Sequence, residues 1–221
     1  MHPEVLVEHI RKMKEATDKP WGINVPLLYP EIDRLMNIII QEGVKIVFTS
    51  AGSPKKWTPL LKSHGITVAH VISSTLFAKK CEEAGVDAVV AEGFEAGGHN
   101  GREETTTLTL IPNVVESCSL PVIAAGGISS GKSVAAAMTL GAEGVQIGTR
   151  FAVAAESSAH PTFKQRVFDT EEGGTMLALK KLAPTRLIKN DFFNQVKALE
   201  DAGAEAAQLT ELLGKGRAKK G

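Results

Sequence analysis

Residues 86–102, VDAVVAEGFEAGGHNGR, decide the fold that this sequence predicts. Residues 86–91 form an almost unbroken apolar run, which is typical of a parallel strand covered on both faces. Glu92 ends the run, and the glycines at 97 and 98 open a loop that carries His99. Because α/β proteins place their sites at the carboxyl ends of buried strands, this loop is the first candidate site.

The same arrangement, in which a helix ends at a glycine and an apolar strand follows at once, recurs along the chain. The glycines are Gly43, Gly65, Gly85 and Gly141, and a further apolar strand follows Ser119 with proline in place of glycine. Each repeat is about one βα unit long, so the series predicts a parallel sheet wound in one direction. A (β/α)8 barrel is the economical interpretation, and a doubly wound open sheet is the alternative.

The number of strands conflicts with a complete barrel. A closed barrel needs eight strands, whereas the sequence predicts six, near residues 21, 45, 66, 86, 121 and 144. The chain from Phe151 onward looks helical, with no pattern that would replace a barrel strand, and it ends in a basic tail. Since a six-stranded arc exposes its core and two strand edges, we interpret the α/β fold as an incomplete barrel without its first two βα units, as in a fragment or an alternatively started product.

Within this interpretation the chain has two parts that belong to one domain. Residues 1–189 are expected to form a partial TIM-barrel domain, which the family resemblance given below makes a flavin-binding domain, and residues 190–221 a C-terminal helical segment with the basic tail. The tail is expected to be a solvated terminus rather than a binding arm.

Composition narrows the classes of partner. The 221 residues carry 25 basic and 25 acidic side chains, which does not favour nucleic acid or an anionic membrane as a partner. No apolar run approaches the roughly 20 residues of a membrane-spanning helix, and no secretory leader opens the chain, so a cytoplasmic protein is expected. Cys81 and Cys118 lack metal-type spacing, so we predict packing thiols and no metal site.

Two further strand ends are rich in glycine. Gly126 and Gly127 follow the strand near 121, and Gly148 with Thr149 follows the strand near 144. Glycines let backbone N–H groups approach an anion, and in barrel enzymes the loops after the last two strands often bind phosphate. These two consecutive glycine-rich strand ends together predict a phosphate-bearing ligand. The nearby SSGKS stretch lacks P-loop spacing, so Ser129 and Ser130 are predicted as turn and cap residues.

Polar residues near these strand ends are the remaining candidates. His99 can serve as a base, an acid or an oxyanion partner near neutral pH. Glu92 is interpreted as a buried hydrogen-bonding group for a ligand, and Asn24 as an inward-facing amide that needs a partner. Glu95 is expected to be structural, and core hydrogen bonding is the favoured interpretation of His70.

Five stretches carry a family resemblance: GINVPL, VVAEGFEAGGHNG, LPVIAAGGIS, LGAEGVQIGTRF and AHPTFK. They resemble the nitronate monooxygenase (2-nitropropane dioxygenase) family and its close relative, the flavin-dependent enoyl-[acyl carrier protein] reductase II. The resemblance implies a TIM barrel that binds FMN noncovalently, with His99 as the catalytic histidine. Members often carry glutamine or aspartate where Glu92 stands. The implied flavin-binding residues, including the glycines beside matched positions, are Asn24, Glu92, Gly97, Gly98, Gly126, Gly127, Gln146, Gly148 and Thr149.

The resemblance also implies a reaction and leaves alternatives open. It implies FMN-dependent oxidation of alkyl nitronates with O2, and the alternative is an enoyl-[acyl carrier protein] reductase of fatty acid synthesis that uses NAD(P)H. The family's first strand with its GGM-type loop and its second strand have no counterpart in this sequence, so an inactive flavoprotein fragment is the third alternative. The expected partner is a small-molecule substrate, and a homodimer is left open.

Overall fold

The computed structural model describes residues 2–214 as two sheets with flanking helices. The larger sheet contains β1 (Ile23–Pro26), β2 (Ile46–Ser50), β3 (Thr67–Ile72), β4 (Ala88–Glu92), β6 (Val122–Ala125) and β7 (Gly144–Gln146). The smaller sheet contains β5 (Gly98–His99), β8 (Thr175–Ala178) and β9 (Thr185–Ile188). The helices are α1 (Pro3–Ala16), α2 (Ile32–Gln41), α3 (Thr58–Ser63), α4 (Thr75–Glu83), α5 (Thr107–Ser117), α6 (Gly131–Thr139), α7 (Thr149–Ala152), α8 (Pro161–Phe168), α9 (Asp191–Asp201) and α10 (Ala206–Leu213).

The larger sheet confirms the predicted alternation of helices and six parallel strands. Its strands lie in the order β1-β2-β3-β4-β6-β7, and every neighbouring pair is parallel. Gly43, Gly65, Gly85 and Gly141, which end the preceding helices, all have positive φ, as the repeat predicts. Within residues 2–214 the edges of this sheet are β1 and β7, so the described chain supplies six of the eight strands of a closed (β/α)8 barrel.

The two faces of the parallel sheet have different surroundings. Alternate residues such as Val47, Val68 and Val89 pack against the helices in the main apolar cluster. The other face carries a smaller cluster around Ala69 and Val90, and it corresponds to the interior of a barrel. We call it the inner face. The last row of residues on this face lies at the carboxyl ends of the strands, where a bound ligand would contact the sheet.

The edge strand β1 differs from the buried strand predicted near residue 21. Asn24 and Pro26 are exposed, and only Val25 of this strand is buried. Proline lacks an N–H group and is therefore tolerated at a sheet edge. The strand is correctly placed, but one of its faces is open.

The prediction that the chain is helical from Phe151 onward is wrong between residues 175 and 188. There β8 and β9 form an antiparallel hairpin, and β9 also pairs with the two-residue strand β5. The hairpin does not replace a barrel strand, because it belongs to the smaller sheet. Its strands have four residues each, which is too short for a clear alternation of apolar and polar residues.

Helices α9 and α10 complete the C-terminal region. The helix predicted around DFFNQVKALEDAG is confirmed as α9. Its buried Phe193 and Val196 share an apolar cluster with Leu179 of the hairpin and Leu209 of α10. The division of the chain at residue 189 stays a prediction, and the basic tail from residue 215 lies outside the described residues.

Two further observations concern the described part of the chain. Among residues 2–214, no helix has both the length and the apolar character to cross a bilayer. The thiol of Cys81 is buried in α4, and this burial raises its pKa to about 12, so it stays protonated. This agrees with the predicted packing role.

Candidate active site

The candidate site lies at the carboxyl ends of three neighbouring strands. In the sheet, β4, β6 and β7 are adjacent, so the loops that follow them meet at one edge. Eight of the nine predicted flavin-binding residues therefore lie in one region: Glu92, Gly97, Gly98, Gly126, Gly127, Gln146, Gly148 and Thr149. That these residues bind a flavin stays a prediction.

Glu92 is the charged residue in the last row of the inner face. The register aligns Glu92 with Ala125 and Ala125 with Gln146, so the carboxyl and the amide flank a small side chain. Burial raises the pKa of Glu92 to about 7, because the charged form is poorly solvated there. Its carboxyl makes no hydrogen bond with another residue in the described range. A partly buried carboxyl without a protein partner is suited to bind a polar ligand.

The backbone beside Glu92 leaves no room for side chains. A Cβ atom at Gly93 would lie 2.1 Å from Thr107 Oγ1, and one at Gly126 would lie 2.6 Å from the carbonyl oxygen of Gly93. Gly126 and Gly127 also have φ values of 97° and 68°, which glycine adopts at low cost. The loops after β4 and β6 therefore depend on glycine to pack directly on each other.

The third strand end is more open. A Cβ atom at Gly148 would have no neighbour within 4 Å, whereas one at Gly97 would lie 3.8 Å from Thr149 Oγ1. The loops after β4 and β7 thus approach each other at Gly97 and Thr149, and the backbone at Gly148 has no close neighbour. Glycine-lined backbone of this kind, next to a free carboxyl and an amide, fits the phosphate and the polar ring edge of a flavin.

Helix α6 begins directly after the second glycine-rich loop. Ser130 is its N-cap and forms a capping box with Ser133, which confirms the predicted cap. The Ser129 N–H donates to Ser133 Oγ at 3.0 Å, so the predicted turn is tied to the same helix. The start of α6 is therefore fixed.

Glu95 has the structural role that the sequence predicts. Its carboxylate accepts hydrogen bonds from the N–H of Thr107 at 2.9 Å and from Thr107 Oγ1 at 3.0 Å, where α5 begins. Thr107 Oγ1 also lies 2.9 Å from the carbonyl oxygen of Gly126. A carboxylate at a helix N-terminus is favoured by the helix dipole, so Glu95 stabilises the junction of the loops after β4 and β6.

His99 is exposed on the loop that follows β4. Its side chain makes no hydrogen bond with residues 2–214, but its backbone pairs with Thr185 of β9. The N–H of Asn100 donates to the carbonyl oxygen of Pro184 at 2.8 Å. The imidazole is thus open to a substrate while its backbone is held.

Arg186 is a residue of this region that the sequence analysis missed. Its Nε and Nη2 donate to the carbonyl oxygen of Phe94 at 3.1 and 2.8 Å. Its guanidinium also lies over the Phe94 ring, 4.9 Å from the centroid. The sequence carries a weak signal for the hairpin, the short segments MLAL and TRLI bounded by Gly173–Gly174 and Pro184, and none for the contact between Arg186 and Phe94.

Two predicted polar residues lie elsewhere. Asn24 is on the edge strand β1, separated from β4 by two strands, and the structure does not bring it to the other candidates. His70 is only 4% exposed and its Nδ1 lies 2.6 Å from Thr49 Oγ1. Burial lowers the pKa of His70 to about 4, so it is neutral and serves the core, as the favoured interpretation predicts.

Comparison with known proteins identifies the family of this chain. The family model for nitronate monooxygenase matches residues 28–220. The chain is 32% identical to a probable nitronate monooxygenase of Staphylococcus saprophyticus, over 97% of this chain and 66% of that protein. It is 33% identical to a (3aS,4S,5R,7aS)-5-hydroxy-7a-methyl-1-oxo-octahydro-1H-indene-4-carboxyl-CoA dehydrogenase of Rhodococcus jostii, over 85% of this chain and 53% of that protein.

A solved structure of similar sequence also has a similar fold. FabK from Thermotoga maritima superposes with a TM-score of 0.91 at 40% identity, and the match covers 96% of this chain and 68% of that one. The chain therefore spans about half to two thirds of the length of these relatives. The family match covers most of the sequence and includes all three glycine-rich strand ends. We conclude that the chain belongs to the nitronate monooxygenase family.

Proposed function

We propose that this protein is an FMN-dependent oxidoreductase that oxidises alkyl nitronates with O2. Family membership supports a flavin oxidoreductase. The single observation that carries the proposal is the last row of the inner face, where Glu92 and Gln146 flank Ala125 between the glycine-rich loops and the His99 loop.

The residues at the three strand ends have distinct proposed roles toward FMN. Gly127, Gly148 and Thr149 would hold the phosphate, because their backbone can approach an anion closely. Glu92 and Gln146 would bind the polar edge of the ring from the inner face. Bound FMN would supply the redox chemistry by accepting electrons from the substrate, and the protein supplies orientation and electrostatics.

His99 is the proposed catalytic residue. In the nitronate reaction its imidazole would donate a hydrogen bond to the anionic nitro oxygens, or accept the carbon-bound proton of the neutral nitroalkane. Both roles need an accessible ring on a fixed backbone. The exposed side chain and the pairing of His99 with Thr185 meet this requirement.

The second candidate function is an enoyl-[acyl carrier protein] reductase that uses NAD(P)H. The specific observation in its favour is the similarity to FabK, an enoyl reductase of this type, at 40% identity. A cleft of about 280 Å³ beside Asn100, lined by Phe77 and Pro184 together with the charged Arg102 and Glu103, could receive part of an enoyl thioester. Both candidates place their chemistry at the same strand ends. The nitronate reaction takes a small-molecule substrate, and both reactions agree with the predicted cytoplasmic location.

One experiment separates the candidates. The protein is purified and its visible spectrum is examined for flavin, and then anaerobic bleaching with NAD(P)H and oxygen uptake with an alkyl nitronate are measured. Oxygen uptake without pyridine nucleotide is the expected result, whereas bleaching by NAD(P)H without nitronate oxidation would favour the reductase. A protein without bound flavin would leave the third alternative, a chain that is inactive by itself.

A histidine pair tests the role of His99 in the same assay. His99→Ala is expected to lower turnover by about 100-fold, as loss of a general acid or base does, while flavin content stays unchanged. His9→Ala, at an exposed position of α1, is the matched control and should keep full turnover. Equal turnover of both variants would remove His99 from the mechanism.

A further inference from the structure

We propose that Arg186 is a positioning residue for His99 and that it makes the β8–β9 hairpin part of the active site. The inference rests on the proposed function, in which His99 acts on the substrate. It concerns residues that the sequence analysis placed in a helical region without a role. Arg186 and its neighbours contact the loop of residues 93–100, which we call the histidine loop.

The side chain of Arg186 holds the start of the histidine loop. Its two donors share one acceptor, the carbonyl oxygen of Phe94, at 3.1 and 2.8 Å, and the guanidinium lies over the Phe94 ring. Two charge-assisted hydrogen bonds together with a cation–π contact restrict both the peptide plane and the ring. The N–H of Phe94 donates to the carbonyl oxygen of Thr105 at 2.9 Å, so this residue is fixed on both sides.

The backbone around Arg186 holds the end of the same loop. Arg186 pairs with Gly98, and Thr185 pairs with His99. The Pro184 carbonyl accepts a hydrogen bond from the N–H of Asn100. Residues 184–186 therefore bind the histidine loop near both of its ends.

The side chain of Asn100 forms hydrogen bonds within the middle of the loop. Its Nδ2 donates to the carbonyl oxygens of Ala96 and Gly98 at 2.8 and 3.0 Å. The His99 side chain has no hydrogen bond to the described residues, so its backbone is the part of His99 that these contacts restrain. Loss of the anchor at Phe94 would therefore loosen the backbone that carries the imidazole, while the imidazole itself is kept.

Arg186 is itself braced by the hairpin. Its Nη1 donates to Thr175 Oγ1 on β8 at 3.3 Å, and β8 pairs with β9 along four residues. A second arginine, Arg102, donates to the carbonyl oxygens of Lys180 and Leu182 in the hairpin turn. The hairpin thus contacts the chain on both sides of His99.

The test compares Arg186→Ala and Arg186→Lys with a matched control. Arg166→Ala is the control, because Arg166 Nη2 also donates a hydrogen bond to a backbone carbonyl, that of Lys189 at 2.8 Å, beyond the end of β9 that does not pair with the histidine loop. The measurements are flavin content, kcat and KM with an alkyl nitronate, and hydrogen exchange of the amides of Asn100 and Val89. The Val89 amide donates to Pro121 in the parallel sheet and reports on that sheet alone.

Arg186→Ala is expected to raise the exchange rate of the Asn100 amide about tenfold or more, with the Val89 amide unchanged. We expect kcat to fall about tenfold at constant flavin content, because the ring is no longer held in its reactive position. Arg186→Lys should give intermediate values, since lysine keeps the charge but not the planar pair of donors. Arg166→Ala should have the same flavin content, kcat and exchange rates as the unmodified protein.

The outcomes separate this inference from the proposed function. An active protein in which Arg186→Ala changes neither Asn100 exchange nor kcat would overturn the inference and leave the function. Equal increases in exchange at Asn100 and Val89 would also overturn it, because Arg186 would then be a general stabiliser. A protein without turnover would remove the proposed function, and the exchange rates would still decide whether Arg186 holds the loop. If Arg186→Ala does not fold, the exchange rate of Asn100 and the kcat of Arg186→Lys decide whether Arg186 positions the histidine loop.

Discussion

The two sheets of this molecule are stabilised in different ways. The parallel sheet rests on a continuous apolar cluster with large, fully buried side chains such as Ile39, Leu61 and Ile111. The antiparallel sheet packs on a much smaller cluster around Phe193 and Leu209, and directional polar contacts join it to the rest of the molecule. The parallel sheet determines where the strand ends lie, whereas the antiparallel sheet determines the conformation of one loop.

This difference shows how stability and positioning are divided in the fold. Non-directional burial supplies most of the free energy of folding, but it does not fix a loop at the surface. Hydrogen bonds contribute less free energy each and fix geometry more sharply. We therefore expect perturbations of the parallel sheet to affect stability first, and perturbations of the antiparallel sheet to affect the histidine loop first.

The largest effects are expected from a matched pair of leucines. Leu61→Ala in α3 and Leu209→Ala in α10 each empty a fully buried position and should each cost about 3 kcal/mol locally. Leu61→Ala is expected to lower the denaturation midpoint of the whole molecule. Leu209→Ala should instead raise hydrogen exchange in the hairpin and at Asn100, with little change at Val89. Identical exchange patterns in both variants would show that the two sheets unfold as one unit.

A somewhat smaller effect is expected at the strand end where the parallel sheet meets the histidine loop. Gly93→Ala places a Cβ atom 2.4 Å from the backbone nitrogen of Thr107, which cannot give way as a flexible side chain would. We expect a loss of about 2–3 kcal/mol in the free energy of unfolding, measured by chemical denaturation.

Gly131→Ala is the control for that change. A Cβ atom at Gly131, in the first turn of α6, meets nothing within 4 Å. The free energy of unfolding of this variant should therefore stay within about 0.5 kcal/mol of that of the unmodified protein. Similar losses for both glycine variants would contradict the steric explanation.

The smallest of these effects depends on pH and tests the inner face. Burial raises the folded pKa of Glu92 from 4.5 to about 7, so between these values the folded state binds more protons than the unfolded state. Stability therefore falls as pH rises through this window, and Glu92→Gln should remove that loss. We expect the variant to equal the unmodified protein at pH 4 and to exceed it by about 2 kcal/mol at pH 8 in chemical denaturation. This is less than the roughly 3 kcal/mol that the full shift would give, because the carboxyl keeps some contact with solvent.

Glu172→Gln, at an exposed position, controls for the change of charge and should show no such pH-dependent gain. If Glu92→Gln and Glu172→Gln follow the same pH profile, the Glu92 carboxyl is not poorly solvated. The assignment of Glu92 to ligand binding would then lose its physical basis.

The parallel half of the structure could be predicted because its signals are local and repeated. Strands such as residues 88–92 are apolar on both faces, and glycine ends the helices that precede four of the six strands. Periodicity and turn residues within about ten positions were enough for these conclusions.

The antiparallel half could not be predicted from such local patterns. Its strands are short and half-buried, and the turn between them lacks the Asn-Gly or Asp-Gly pair that identifies many hairpins. The pairing of β5 with β9 depends on tertiary contacts, because two glycines precede His99 and nothing in residues 97–100 favours a strand. Arg186 was missed for the same reason, since its partner Phe94 lies 92 positions earlier.

That separation of 92 positions has a consequence for the time at which the histidine loop becomes ordered during protein synthesis. The ribosome makes all six parallel strands before it reaches Arg186, so the emerging chain can form its larger core while the histidine loop still has no anchor. Under the proposed function, a ligand could therefore bind at the glycine-rich strand ends before His99 is held in place. A premature stop between residues 150 and 184 would leave the larger sheet in place and lose the segment that fixes His99.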